Sequence, residues 1–133
     1  MRKINVLILV DKFDYHGSYI NGPTRYFSWL VKAIDPARFT IRMCVLLAKG
    51  KSDDVFHREN IRVTYLNAGK YNPFALLKVI RLVRREKIDL LHLTGYGSTL
   101  YGRLAGAICG RPTIVHEHWV DPAFGGLQGA VER

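Results

Sequence analysis

The first apolar segment of the chain, Ile4 to Val10, does most to limit which folds are possible. Every residue in it except Asn5 is aliphatic, so an extended segment here would need burial on both faces. Strands of this kind are typical of parallel sheets covered by helices on each side. The segment is too short to span a bilayer, and Asp11-Lys12 ends it without the small-residue cleavage site of a signal peptide. We therefore expect a buried strand in a cytoplasmic protein.

Apolar segments alternate with helical patterns along the rest of the chain. Further strands are predicted at 39–47, 61–66, 90–93 and 113–116. Helices are predicted from Thr24 to the stop at Asp35-Pro36, from Asn72-Pro73 to about residue 86, and from near Ser98 to Gly110. The pattern leaves the structure of residues 48–60 open. The order predicts a Rossmann-like, doubly wound α/β fold, with a mostly parallel sheet of about five strands and helices on both faces.

The length of 133 residues fits one domain, and we treat residues 1–133 as that domain. After the fifth predicted strand only a short, glycine-containing tail remains. A doubly wound sheet usually continues with another strand or two. We therefore expect the domain to be incomplete at its C-terminus.

The charge composition limits which classes of binding partner are expected. Lys and Arg number 20 against 11 Asp and Glu, which gives a net charge of +9 and favours phosphorylated small molecules, nucleic acid or an anionic membrane. Nucleic acid is disfavoured, because the cations are scattered and no aromatic-interleaved basic motif is present. Cys44 and Cys109 lie among apolar neighbours without a metal-binding spacing, and are interpreted as buried, reduced core residues.

Three segments should meet where the parallel strands end, because ligands of open parallel sheets bind at the carboxyl ends of the strands. They are residues 11–23, residues 94–98 and residues 116–119. Gly17 and Gly22 precede a helix, so this loop either binds phosphate at the helix N-terminus or supplies turn geometry. Gly95 also lies between a strand and a helix, where the alternative to ligand contact is capping by Ser98.

The third of these segments is rich in histidine. His116 and His118 would face the same side of a continuing strand, with Glu117 between them. A metal site would need a third ligand, for which only His92 is available, and the spacing does not follow the usual ligand patterns. Histidines hydrogen-bonded within the fold are a second alternative. We favour contact with a substrate and predict no metal and no cofactor.

The helix that begins at Asn72-Pro73 is amphipathic and strongly basic. Its cations are Lys78, Arg81, Arg84, Arg85 and Lys87. A membrane-surface helix attracted to anionic lipid is one interpretation. Packing of its apolar stripe on the sheet, with a solvated basic face, is the favoured one, because each crossover helix must bury one face.

The chain resembles the N-terminal domain of family-4 glycosyltransferases, retaining enzymes whose GT-B fold has two Rossmann-like lobes. The resemblance extends from Lys3 to about Pro122. Its residues are the basic start with 4–10, the glycine-containing loop before an amphipathic helix, Asp89-Leu90-Leu91-His92-Leu93-Thr94, and Arg111-Pro112-Thr113-Ile114-Val115-His116-Glu117-His118. The adjacent Gly-Gly pair usual in the loop is missing.

The resemblance implies roles for individual residues. His118 matches the family histidine at the cleft beside the transferred sugar, and is the expected catalytic residue. Gly17 and Gly22 fall in the loop near the donor diphosphate and the acceptor, while His92 and Thr94 occupy the positions of a His-x-His pattern. The expected substrate-binding set is Gly17, Gly22, His92, Thr94, Gly95 and Glu117.

The resemblance also implies the partners. The expected activity is transfer of a sugar from a nucleotide-sugar donor, bound by a C-terminal lobe outside these residues, to a glycan or lipid-linked acceptor in cell-envelope polysaccharide synthesis. The enzyme would be cytoplasmic, with peripheral contact at the inner face of an anionic membrane. The alternative is a stand-alone, flavodoxin-like module that binds a phosphorylated ligand without chemistry.

Overall fold

The computed structural model describes residues 2–13, 22–50, 54–69 and 71–117. Five strands and four helices alternate along these ranges. They are β1 (Ile4–Val10), α1 (Gly22–Ala33), β2 (Phe39–Val45), α2 (Asp54–Arg58), β3 (Val63–Tyr65), α3 (Phe74–Arg85), β4 (Leu90–Thr94), α4 (Tyr96–Cys109) and β5 (Thr113–Val115). None of the helices in these ranges combines the length and the hydropathy needed to cross a bilayer.

The described strands form one sheet in the order β3-β2-β1-β4-β5, and every pair in it is parallel. β1 lies at the centre, which explains why its sequence is aliphatic on both faces. The chain runs outward from β1 to β2 and β3, and then returns to the other side of β1 with β4 and β5. The point of return, between β1 and β4, is where open sheets of this kind bind ligands. The predicted Rossmann-like fold class is confirmed.

Helices cover both faces of the sheet over two separate apolar cores. Leu7 and Leu9 of β1 point to the side of α3 and α4, where Leu91 and Leu93 of β4 join them. The alternate residues of β1 point to the side of α1 and α2, where Phe27 and Phe56 pack. The alternation of β1 side chains therefore joins the two cores through one strand.

The side of α4 that faces the sheet carries glycines at its closest contacts. A Cβ added at Gly102 would overlap the Leu93 side chain, and one at Gly106 would lie 2.6 Å from Thr113 Cγ2 and 2.9 Å from the Arg111 carbonyl oxygen. These two glycines let α4 lie directly on β4 and β5.

The structure adds detail to the predicted elements and corrects one predicted burial. α4 begins at Tyr96, two residues before Ser98, and the connection at 48–60, whose structure the sequence left open, contains the short helix α2. Cys44 is fully buried, and burial raises the pKa of its thiol to about 12, but Cys109 is only half-buried. α3 packs Ala75, Val79, Leu82 and Val83 inward, as the favoured interpretation requires. Phe74 and Leu77, two further apolar residues of α3, are exposed.

Candidate functional site

The carboxyl ends of β1, β4 and β5 lie side by side. Val10 is paired with Thr94, and Leu93 is paired with Val115. The last residues of these strands and those that follow them therefore lie on one edge, which we call the rim. It includes Asp11 after β1, His92, Thr94 and Gly95 at the end of β4, and His116 after β5. The rim is at the point of return between β1 and β4.

Asp11 binds the N-terminus of α4. Its Oδ1 accepts the N–H of Ser98 at 2.7 Å and its Oδ2 accepts the N–H of Gly97 at 3.1 Å. The residue is only 4% exposed. A buried carboxylate at this position satisfies two of the backbone donors that a helix start leaves open, and it is favoured by the helix dipole. Asp11 therefore caps α4.

The predicted alternative, capping by Ser98, is wrong. The Ser98 side chain is fully buried, and its Oγ has no hydrogen-bond partner in the described part of the chain. Ser98 is the third residue of α4, not the residue before the helix, so its side chain is not placed to accept from the first N–H groups. The cap comes instead from Asp11, which directly follows β1 and lies 87 residues before Ser98 in the sequence.

Gly95 has a structural reason to be glycine. Its φ is +97°, in the region that other residues avoid. A Cβ there would lie 2.8 Å from Cγ of Asp11 and 3.0 Å from both carboxylate oxygens. The glycine thus allows the close approach of Asp11 to α4. Because the N–H groups of Gly97 and Ser98 are already bound, a phosphate would have to displace Asp11 to use them.

His92 and His116 form a pair on the rim. Nε2 of His92 lies 3.3 Å from Nδ1 of His116, and the rings are stacked with centroids 5.4 Å apart. Rings of α1 meet the pair edge-on: Tyr26 lies 4.7 Å from His116, and Phe27 lies 5.7 Å from His92. The first turns of α1 therefore form one wall beside two half-buried imidazoles that can donate or accept hydrogen bonds.

Thr94 fixes the position of His116. Its Oγ1 donates to the His116 carbonyl oxygen at 2.6 Å, and the His116 N–H donates to the Leu93 carbonyl oxygen at 2.8 Å. Thr94 is 8% exposed. Its hydroxyl proton is thereby used within the protein, so the observed role of Thr94 is to hold the end of β5 against β4.

The structure brings together some of the predicted residues and leaves others undescribed. His92, Thr94 and Gly95 lie on the rim, Glu117 follows His116 and is exposed, and Gly22 begins α1. Gly17 and the expected catalytic residue His118 lie outside the described residues. Their roles stay predictions.

Sequence reasoning named His116 as a candidate but did not predict its contact with His92, and it missed Asp11. The contact follows from the register of β5, because pairing Leu91 with Thr113 places His92 beside Ile114. The residue two positions after Ile114 then faces the same side as His92. For Asp11 the only signal was an acidic residue directly at the end of a strand.

No group of three or more His, Cys, Asp or Glu side chains that could hold a metal ion occurs among the described residues. The pair of His92 and His116 supplies two nitrogen ligands there. His118, which the sequence analysis paired with His116 and for which His92 was the third candidate ligand, lies outside the described residues.

Comparison with known proteins gives a family match that covers most of the chain. A family model described as a glycosyl transferase 4-like domain matches residues 21–133, which include every described element except β1. No curated protein matches the chain. The matched stretch holds α1, β4 and β5, which build the rim beside the central strand. The chain therefore belongs to the glycosyl transferase 4-like family, and so to the glycosyltransferases.

Proposed function

We propose that this chain is the acceptor-side lobe of a retaining glycosyltransferase that moves a sugar from a nucleotide-sugar donor to a glycan or lipid-linked acceptor of the cell envelope. The observation that carries the proposal is the rim: His92 and His116 lie 3.3 Å apart at the point of return of the sheet, beside the first turns of α1. Clefts at this position are the usual ligand sites of such sheets.

Sugar transfer requires groups that stabilise the charges developing in its transition state. A leaving nucleoside diphosphate and an oxocarbenium-like sugar need preorganised donors and dipoles around them. In the proposal His118, two residues beyond His116, contacts the transferred sugar. Gly17 and Gly22 let the diphosphate or the acceptor approach the backbone before α1, and Gly95 and Glu117 border the acceptor. His92 and Thr94 hold the wall against which the acceptor lies.

The described residues build one lobe, and the proposal places the donor nucleotide in a second, C-terminal lobe. Sugar transfer then needs both lobes, and the 133-residue chain alone has no measurable transfer activity. The proposed location is the cytoplasm, with peripheral contact at the inner face of the membrane.

The proposal is tested with the 133-residue chain in two assays. Incubation with a panel of nucleoside diphosphate sugars and short oligosaccharides should give no release of nucleoside diphosphate, and measurable turnover would contradict the two-lobe requirement. In parallel, the ring signals of His92 and His116 are followed by NMR with neutral oligosaccharides and with an isoprenoid phosphate sugar. Shifts with these acceptor probes support an acceptor lobe. Shifts with inorganic phosphate alone would favour the phosphate-binding module instead.

A further inference from the structure

The outward side of α3 carries apolar and basic residues but no acidic residue. At 100° per residue, its exposed positions fall in one stripe about a third of the circumference wide. They are Phe74, Leu77, Lys78, Arg81, Arg84 and Arg85. The apolar members come first, with Phe74 66% and Leu77 50% exposed. The arginines fill the last turns. The stripe therefore has an apolar end and a cationic end.

α4 packs beside α3 and widens this surface. Leu104 and Ile108 of α4 are 44% and 53% exposed, and α4, like α3, contains no acidic residue. We call the outward sides of α3 and α4 the α3–α4 face. Apolar side chains grouped on one exposed surface and bordered by polar groups are typical of protein or membrane interaction sites.

The nearest described carboxylates are already paired. Glu86 lies 3.2 Å from Arg42 and 3.3 Å from Arg85. Asp89 lies 2.9 Å from Arg2 and 3.8 Å from Arg111. Arg81 and Arg84 make no ion pair within the described ranges. The α3–α4 face thus presents a net positive charge that its own neighbours do not neutralise.

Two cavities open on either side of the cationic end of α3. One, of about 320 Å³, is lined by Arg84, Lys87 and Arg111 together with Ile108. The other, of about 70 Å³, is lined by Arg42, Arg62 and Arg85, with Glu86 as its one carboxylate. In the second cavity Nε of Arg42 is buried and has no hydrogen-bond partner among the described residues. Guanidinium groups bind phosphate oxygens in a fork geometry, so both cavities suit phosphate groups.

We propose that the α3–α4 face docks on an anionic lipid bilayer, with lipid phosphates at the two cavities and the four exposed apolar side chains at the boundary between headgroups and acyl chains. Apolar residues beside Lys and Arg on one helical surface are the pattern of interfacial binding. This inference rests on the proposed function in the form in which the acceptor is lipid-linked. An acceptor held in a bilayer requires the enzyme at that surface.

The docked orientation also brings the rim close to the bilayer. Phe74 and Leu77 lie at the N-terminal end of α3, and the ring of nearby Tyr71 is 6.1 Å from that of Tyr96, the first residue of α4. Tyr96 directly follows Gly95 on the rim. The apolar end of the α3–α4 face therefore adjoins the site, and a lipid-linked acceptor could reach it from the membrane.

The test is co-sedimentation of the 133-residue chain with vesicles of equal parts phosphatidylglycerol and phosphatidylcholine, compared with phosphatidylcholine alone. Binding should be strong to the first, weak to the second, and reduced by salt. The double variant R81Q/R84Q should bind roughly 25-fold more weakly, since each cation near an anionic surface contributes about fivefold. The matched control R38Q/R58Q removes the same charge from exposed positions outside the α3–α4 face and should bind nearly as the parent does.

A second pair of variants tests the apolar part. F74Q should reduce binding several-fold, whereas W29Q, which removes an aromatic residue 64% exposed on α1, should not. Equal binding to both vesicle types would overturn the proposal, and so would R81Q/R84Q binding as well as R38Q/R58Q. Circular dichroism of each variant shows whether it is folded. The assay contains no donor or acceptor, so its result is independent of whether the chain takes part in sugar transfer.

Discussion

Each end of the sheet has an aspartate that ties β1 to the β4 side, but the two aspartates are held differently. At the carboxyl end Asp11 is buried and accepts two backbone N–H groups of α4. At the amino end Asp89, just before β4, accepts the N–H of Asn5 at 2.9 Å and is paired with Arg2. One carboxylate is satisfied by helix dipoles and the other largely by a cation. The rim is thus fixed by backbone hydrogen bonds to a buried carboxylate. The opposite end relies on an ion pair with Arg2, whose side chain is exposed.

The largest effect is expected from G95A, which adds a side chain where Gly95 and Asp11 lie in contact on the rim. Alanine would be strained at φ +97°, and its Cβ would push against a carboxylate that cannot move without losing its two hydrogen bonds. We expect a loss of about 3 kcal/mol in the free energy of unfolding. Urea denaturation measures it. The control G110A also has a positive φ, +65°, but nothing lies within 4 Å, and it should lose only about 1 kcal/mol.

The next largest effect is expected from D11A. It leaves the N–H groups of Gly97 and Ser98 without their described partner in a buried place, which should destabilise the protein by about 2 kcal/mol. D11N keeps one acceptor oxygen and should lose less. D35A serves as control, because exposed Asp35 accepts one N–H, that of Ala37. Equal losses for D11A and D35A in urea would contradict the capping role.

A smaller effect is expected from T94V, which keeps the side-chain shape and removes the hydroxyl. The His116 carbonyl oxygen would lose its 2.6 Å donor, at a cost of about 1 kcal/mol. The more informative readout is the NMR ring signals of His92 and His116, which should broaden or shift as the pair loosens. Unchanged signals would show that Thr94 does not position the pair.

The smallest effect is expected at the amino end. The hydrogen bond from Arg2, and then that from the Asn5 backbone, hold the pKa of Asp89 below its ordinary value. This stability is present above the unfolded-state pKa and is lost as pH falls through the folded-state pKa. D89N should therefore flatten the acid side of the stability profile between neutral pH and about pH 3. An unchanged acid side would show that the pair contributes nothing measurable to stability, as many exposed pairs do.

Local patterns in the sequence were enough to predict the fold class. The aliphatic run of β1 predicts a strand buried on both faces, and the breaks at Pro36 and Gly110 predict helix ends, because these depend on residues close in sequence. The rim was predicted only in part. Capping of α4 by Asp11 depends on a contact between residues 86 and 87 positions apart. The pairing of His92 with His116 depends on the register of β5, which no short pattern encodes.

The central position of β1 has a consequence for how the protein is made. A ribosome completes this strand early, but its neighbour β4 emerges only near the end of the described chain. Until then the aliphatic segment has at most one of its two partners, and Asp11 has no helix to cap. Sheets that join distant segments fold slowly and leave such strands exposed to other chains. We expect nascent chains that stop before β4 to aggregate or to bind chaperones, and those that continue past α4 to become resistant to protease.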